Sequence, residues 1–203
     1  MLFLTFLIGF FTSYLGMVTP SMLNITAIKL SIKRGEKEAT NYAYGVALVV
    51  FFQGVLALYF LKILYKNPLI LATIEQFAAL IFAVLSFFFF RKAFLEKKQL
   101  IAQEINRPGF ITGIGLSFLN MFSVPFYCIV GTIASNYGWL DFTLNSVAVF
   151  MIGSTLGTFF ILYHYVQLAQ RIHAKIAFLT NYINAILGII TGIVALLTFV
   201  KLL

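Results

Sequence analysis

Polar side chains gather around two of the four prolines in this strongly apolar sequence. The residues concerned are Thr19, Pro20, Ser21, Asn24, Asn120, Ser123 and Pro125. Proline removes a backbone N–H and clashes with the preceding turn, so it breaks or kinks a helix. In a bilayer, the freed carbonyl and amide groups must bond to neighbouring side chains or line a water-filled cavity. The amide end of such a break can face a carboxylate and the carbonyl end an ammonium, so we expect a binding site for a small zwitterion.

A serine or threonine within a helix often bonds to its own backbone, and this alternative stays open for Thr19 and Ser123. Further polar candidates in the apolar stretches are Gln53, Glu75, His164 and Asn184. Gln53 and Asn184 are expected either to line the same site or to hydrogen-bond between helices. Glu75 and His164 are candidates for coupling proton movement to solute movement, and the alternative places both at the membrane interface.

No enzyme or cofactor pattern stands out in the sequence. It contains no paired-carboxylate site, metal-ligand cluster, phosphate-binding loop or nucleophile elbow. Cys128 is the only cysteine, which excludes an intrachain disulfide and a multi-cysteine metal site. We therefore predict that the protein is not an enzyme and uses neither a metal nor a cofactor. The net charge of +8 does not indicate nucleic-acid binding, because the basic residues lie in short connectors rather than on one face.

The composition predicts a protein embedded in lipid. Hydrophobic residues make up 62% of the 203 residues and charged residues 10%, against roughly 45–50% and about 25% in a soluble domain. Six apolar stretches are long enough to cross a hydrocarbon core about 30 Å thick. They cover about residues 2–28, 39–61, 69–90, 109–134, 142–168 and 177–202. We expect an all-α integral membrane protein with six transmembrane helices, joined by short polar connectors of which the first is 29–38.

The distribution of basic residues predicts the orientation of the spans. Eleven of the fourteen Lys and Arg residues lie in the first, third and fifth connectors, and the others are Lys62, Lys66 and Lys201. Cytoplasmic loops carry an excess of positive charge, so the odd connectors are predicted to be cytoplasmic and both termini to lie outside. A five-span arrangement would reverse one terminus. The expected location is the cytoplasmic (inner) membrane.

An internal repeat relates the two proline segments. Ser13-Tyr-Leu-Gly-Met-Val-Thr-Pro20 matches Ser117-Phe-Leu-Asn-Met-Phe-Ser-Val-Pro125 with one insertion, and chance similarity is the alternative. Because each half holds three spans, the second copy enters the membrane from the opposite side, so the repeat is inverted. Inverted repeats are typical of secondary transporters, whose related halves rock about a shared site. The first and fourth helices are predicted to be broken at their prolines.

The predicted organisation is a single transmembrane domain spanning 1–203. Its halves, about 1–90 and 109–203, are joined by a cytoplasmic loop, 91–108. Two glycine pairs with three residues between them allow helices to approach closely, within the bundle or in a homodimer. These pairs are Gly153/Gly157 and Gly188/Gly192. The lipid bilayer and a small-molecule substrate are the expected partners.

The segment Thr19–Ala39, TPSMLNITAIKLSIKRGEKEA, resembles the LysE-type amino-acid exporters. That family has a Pro-Gly-Pro-Asn-like motif late in the first span, followed by apolar residues and a basic-Gly turn. Pro20, Asn24 and the turn at Gly35 fit this pattern. A second similarity is Leu119-Asn120, where the family typically has Leu-Asn-Pro-Lys.

Four residues depart from the family pattern: Ser21 and Met22 replace Gly and Pro, and Met121 and Phe122 replace Pro and Lys. The missing lysine indicates a divergent member whose cargo differs from a basic amino acid. The resemblance implies export of an amino acid or a similar small metabolite. Since the sequence holds no nucleotide-binding loop, the proton gradient is the expected energy source. The alternative is a non-transporting membrane scaffold or assembly protein, in which the polar residues serve only helix packing.

Overall fold

The computed structural model describes residues 1–18, 21–66, 84, 87, 91, 107–120, 122–169, 189, 192 and 193. This part of the chain contains six α-helices and no strand: α1 Leu2–Gly16, α2 Met22–Arg34, α3 Glu36–Lys66, α4 Gly109–Phe118, α5 Ser123–Asn136 and α6 Leu144–Gln167. The predicted all-α class is confirmed for these residues. The chain divides into two compact units, Met1–Ile63 with Ile105–His173, and Leu64–Glu104 with Ala174–Leu203. All contacts described below lie within the first unit.

Two of these helices, α3 and α6, are each long and apolar enough to cross a membrane. The pair α4 and α5, bent by 68° between the two helices, makes a third such segment when it is counted as one span. α1 is apolar but only 15 residues long. α6 lies within the predicted span 142–168, α4 and α5 cover 109–134 with a break between Phe118 and Ser123, and α3 extends beyond 39–61 at both ends. The predicted spans 69–90 and 177–202 lie outside the described residues, apart from single positions.

The predicted polar connector 29–38 is helical except for Gly35. Lys33 and Arg34 form the last turn of α2, and Glu36 begins α3. Basic residues stabilise the negative C-terminal end of a helix and acidic residues its positive N-terminal end, so the charges support two helices here. Gly35 has a φ of 89°, a backbone conformation that favours glycine, and it turns the chain from α2 into α3.

A charged cluster at this turn holds the start of α4. The Glu38 carboxylate accepts a hydrogen bond from the Gly109 backbone N–H at 2.7 Å and lies 3.7 Å from the Arg34 guanidinium. Arg34 also donates to the Arg107 carbonyl oxygen at 2.6 Å. The turn between α2 and α3 is therefore tied to the first residue of α4.

α1 and α6 cross in backbone contact through glycines. A methyl group on Gly9 would lie 2.2 Å from the Phe150 carbonyl oxygen, and one on Gly153 would lie 2.2 Å from the Phe6 carbonyl oxygen. Gly157, one turn beyond Gly153, makes the same contact with the carbonyl one turn beyond Phe6. The contacts advance together along both helices, so α1 and α6 run parallel. The glycine pair of α6 therefore allows a close approach within the chain.

α3 and α4 form a second crossing of the same kind. A methyl group on Gly113 would lie 2.2 Å from the Tyr42 carbonyl oxygen, and one on Gly45 would lie 2.3 Å from the Phe110 carbonyl oxygen. Gly109, one turn before Gly113, lies equally close to the carbonyl one turn before Tyr42. These two helices therefore also run parallel. Gly109 and Gly113 are a glycine pair with the spacing of Gly153/Gly157, and the sequence analysis did not single them out.

Candidate functional site

The break between α1 and α2 is bridged by a buried amide. α1 ends at Gly16, and α2 begins after Ser21, whose hydroxyl accepts a hydrogen bond from the Asn24 backbone N–H at 3.5 Å. Asn24 Nδ2 donates to the Met17 carbonyl oxygen at 2.8 Å, and the side chain is fully buried. The amide thus satisfies a carbonyl that has no partner from its own helix, because α1 does not continue. Thr19 and Pro20 lie outside the described residues.

The break between α4 and α5 also carries an asparagine. α4 ends at Phe118 and α5 begins at Ser123. Asn120 Oδ1 accepts from the Phe122 backbone N–H at 3.4 Å, and Asn120 Nδ2 donates to the Ser123 hydroxyl at 3.2 Å. Pro125 is the third residue of α5, in the first turn, where a helix does not need the N–H that proline lacks. The interruption therefore precedes Pro125 in the chain.

The two breaks touch each other. A methyl group on Gly16, the last residue of α1, would lie 2.7 Å from the Phe126 ring at the start of α5. The Ser13 hydroxyl and the Tyr127 hydroxyl are 3.0 Å apart and hydrogen-bonded, and both side chains are buried. The end of α1 and the beginning of α5 therefore meet at a polar contact inside the apolar bundle.

Two hydroxyls of α6 join this contact. Ser154 and Thr158 are fully buried, and both lie beside the Tyr127 hydroxyl. Neither hydroxyl reaches the length and angle of a normal hydrogen bond with Tyr127 or with another described residue. Tyr127, Ser154 and Thr158 were not predicted from the sequence. The spacing of four residues between Ser154 and Thr158, which puts them on one helix face, was the available signal.

Gln53 lies near the α4–α5 break. Its Nε2 donates to the Ser117 carbonyl oxygen at 3.2 Å, while its buried Oε1 has no hydrogen bond among the described residues. The buried Ser117 hydroxyl donates in turn to the Val46 carbonyl oxygen at 3.4 Å. Gln53 thus links α3 to the last turn of α4, and one of its polar atoms is left for a further partner.

His164 lies near the other break. Its Nδ1 donates to the Phe160 carbonyl oxygen at 2.8 Å and is 3.4 Å from the Tyr14 hydroxyl. The neighbouring Tyr165 hydroxyl donates to the Val18 carbonyl oxygen at 2.5 Å. His164 itself is exposed at the end of α6. The remaining candidates, Glu75 and Asn184, lie outside the described residues.

An open cleft of about 620 Å³ separates the start of α3 from the last third of α6. Its polar side includes Glu36, Lys37 and Asn41, and its aromatic side includes Tyr44 and Phe159. The Tyr44 and Phe159 rings stack with centroids 4.5 Å apart. Groups of opposite charge above an aromatic floor can receive a small zwitterion. Among the described residues, no cluster of His, Cys, Asp and Glu could hold a metal ion.

Comparison with known proteins identifies a family. A search of curated proteins and a search of solved structures gave no significant match. The family model of the LysE type translocator matches residues 14–201. This range contains both helix breaks. It also contains Tyr14 and His164, whose hydroxyl and Nδ1 atoms lie 3.4 Å apart. The long apolar helices agree with the membrane setting of a translocator. The chain therefore belongs to the family of LysE type translocators, which are membrane transporters.

Proposed function

We propose that this protein is a secondary transporter that exports an amino acid or a similar small metabolite across the cytoplasmic membrane, driven by the proton gradient. Membership of the translocator family supports transport. The observation that carries the proposal is the contact between two helix breaks through Ser13 and Tyr127. A pair of interrupted helices that meet inside a bundle offers polar backbone ends to a solute where an apolar bundle otherwise offers none.

The two glycine crossings support an inverted repeat. Aligning Ser13 with Ser117 also aligns Gly9 with Gly113 and Phe6 with Phe110. The first residue of each aligned pair contacts α6, and the second makes the equivalent contact with α3. We therefore propose six spans in one transmembrane domain, with halves of about 1–90 and 109–203. Related halves that rock about the shared contact would expose it to one side at a time.

The proposed site holds a zwitterion between the carbonyl end of α1 and the amide end of α5. The proposed substrate-binding residues are Thr19, Pro20, Ser21, Asn24, Gln53, Asn120, Ser123, Pro125 and Asn184. Among them, Asn24 bridges its helix break, Asn120 bonds to the start of α5, and Gln53 has a buried acceptor atom beyond its bond to α4. Glu75 and His164 are the proposed proton-coupling residues.

The cleft beside Glu36 and Lys37 is the proposed entrance for the cargo. It opens at the turn that follows the basic residues of α2, which the distribution of charge places in the cytoplasm. Both termini are then outside. The Glu36 carboxylate and the Lys37 ammonium suit the opposite charges of a zwitterion. In export, the cargo enters from the cytoplasm.

Reconstitution in proteoliposomes tests the proposal. Each amino acid is supplied in turn, with and without a proton gradient, to wild-type protein and to Asn24→Ala and Asn120→Ala variants. We expect flux of at least one amino acid, faster with the gradient and reduced in both variants. A scaffold protein, favoured by the hydrogen bonds of Asn24 and Gln53 to backbone carbonyls, predicts no flux, with variants altered only in stability.

A further inference from the structure

Threonines in the membrane helices of this protein normally bond to their own backbone. Five such hydroxyls in the described helices donate to the carbonyl oxygen four residues earlier, and the three shortest bonds run from Thr12 to Ile8 at 2.6 Å, from Thr132 to Cys128 at 2.8 Å and from Thr155 to Met151 at 2.7 Å. This bond satisfies the hydroxyl inside an apolar bundle without a partner from another helix. A buried serine or threonine without it therefore needs a different explanation.

Ser154 and Thr158 are the exceptions on α6. Both are fully buried, and neither hydroxyl forms a hydrogen bond of normal length and angle with the preceding turn or with another described group, although both approach the Tyr127 hydroxyl. Thr155, on the same helix, makes the usual bond. Leaving a buried hydroxyl without a partner destabilises the fold. An unpartnered buried polar group in a native structure needs an explanation, and a bound water, ion or ligand is one.

The two hydroxyls face the contact between the helix breaks. They lie beside the Tyr127 hydroxyl, which is bonded to Ser13. The four side chains, which we call the hydroxyl cluster, come from the last turn of α1, the second turn of α5 and the middle of α6. One of the four O–H groups is used between Ser13 and Tyr127. Three O–H groups remain for a ligand.

We propose that the hydroxyl cluster is the subsite for the carboxylate of the exported molecule, an inference that rests on the proposed function. A carboxylate is an acceptor only, so it can take all three remaining O–H groups at once. An ammonium group or a metal cation would favour an anionic side chain, and the cluster contains none. It also lies near the start of α5, where the helix dipole favours a negative charge. Recognition through neutral donors makes the carboxylate essential for binding.

The test uses full-length purified protein and measures its melting temperature with each proteinogenic amino acid and with the corresponding α-amide. The variants are Thr158→Val and Ser154→Ala, and Thr155→Val is the matched control on the same helix. We expect one or more amino acids to stabilise the wild type while their α-amides do not. Each of the two cluster variants should bind that amino acid about 10- to 100-fold more weakly, since one hydrogen bond to a charged group is lost.

The stability of the ligand-free variants separates binding from packing. Thr158→Val replaces an unpartnered hydroxyl by a methyl group of the same size, so its melting temperature should equal or exceed that of the wild type. Thr155→Val should keep the wild-type affinity. Equal affinity in the wild type and both cluster variants, or equal stabilisation by acid and α-amide, would overturn the subsite and leave export standing. If no amino acid stabilises or is transported by the wild type, the proposed function falls and the subsite with it.

Discussion

At the scale of single residues, Asn24 shows how a polar side chain is accommodated in this apolar protein. It is fully buried, yet its Nδ2 bonds to the Met17 carbonyl oxygen across the break between α1 and α2. A carbonyl released at a helix end would otherwise stay without a partner in the bilayer. The amide therefore stabilises the interrupted conformation itself.

Asn24→Ala should destabilise the protein and slow transport. The substitution leaves the Met17 carbonyl unsatisfied, which costs about 1–3 kcal/mol, and it loosens the break at the proposed site. Thermal unfolding in detergent and efflux measured on the same preparation check the two effects. Asn145→Ala is the control, because Asn145 is exposed on α6. A wild-type melting temperature for Asn24→Ala would contradict the bridging role.

Asp141 gives a prediction for pH dependence. Two hydrogen bonds from Thr143, one from its hydroxyl at 2.7 Å and one from its backbone N–H at 3.0 Å, lower the pKa of the Asp141 carboxyl. A lowered pKa in the folded state means that the carboxylate stabilises the fold above the pKa of the unfolded chain. This contribution is lost as the pH falls through the folded-state pKa.

Asp141→Asn should therefore lower stability at neutral pH and have a shrinking effect in acid. The difference in melting temperature between wild type and variant should begin to shrink as the pH falls below about 4, where the carboxyl of the unfolded chain becomes neutral, and should approach zero once the pH is below the lowered folded-state pKa. Thermal unfolding across a pH series measures this. A difference that stays constant over the series would show that the charge of Asp141 does not contribute.

The sequence predicted some of these residues and could not predict others. Asn24 and Asn120 stand next to proline motifs; Asn24 bridges its helix break, and Asn120 bonds to the start of α5. Tyr127, Ser154 and Thr158 come from different helices, and only packing brings their hydroxyls together. A serine in an apolar helix has the same local pattern whether it bonds to its own backbone or faces a cavity. Their importance depends on a tertiary contact that local sequence does not encode.

At the scale of helices, glycines set how closely the elements approach. The α1–α6 and α3–α4 crossings bring backbone atoms into direct contact. Dispersion between closely packed backbones is a main source of helix association in membranes, where the hydrophobic effect between helices is absent. The two crossings therefore stabilise the scaffold that holds both breaks in place.

Gly113→Ala and Gly153→Ala should each destabilise the protein. An added methyl group would lie 2.2 Å from a backbone carbonyl oxygen in both cases, so the helices must separate. Overpacking of this kind costs about 1–3 kcal/mol. Gly115→Ala is the matched control on α4, since nothing lies within 4 Å of its added methyl group. It should be neutral or stabilising by up to about 1 kcal/mol through helix propensity.

Equal melting temperatures for Gly113→Ala and Gly115→Ala would show that the crossing is not tight.

Helix boundaries were partly predictable from sequence, because apolar length identifies a membrane segment. The helical ends on both sides of Gly35 were not, since basic residues mark both a cytoplasmic loop and the last turn of a helix. The position of the break between α4 and α5 was not predictable either, because a proline in the first turn of a helix can follow a break as well as cause one.

At the scale of the whole molecule, the parallel crossings constrain topology. α1 runs parallel to α6, and α3 runs parallel to α4, as six spans with alternating directions require. We predict that both termini are outside and that loop 91–108 is cytoplasmic. Fusions of a reporter that is active only in the cytoplasm should be silent at each terminus and active in the loop. A cytoplasmic signal from either terminus would exclude the six-span arrangement.

The central claim is that the protein exports an amino acid through the contact between two broken helices. The most direct measurement is amino-acid efflux from cells that lack their own exporters and are loaded with dipeptides. It compares the wild type with the Pro20→Ala/Pro125→Ala double variant at equal abundance in the membrane. The account predicts efflux of at least one amino acid by the wild type and its loss in the double variant. Normal insertion of the wild type without efflux of any amino acid, or undiminished efflux in the double variant, would contradict it.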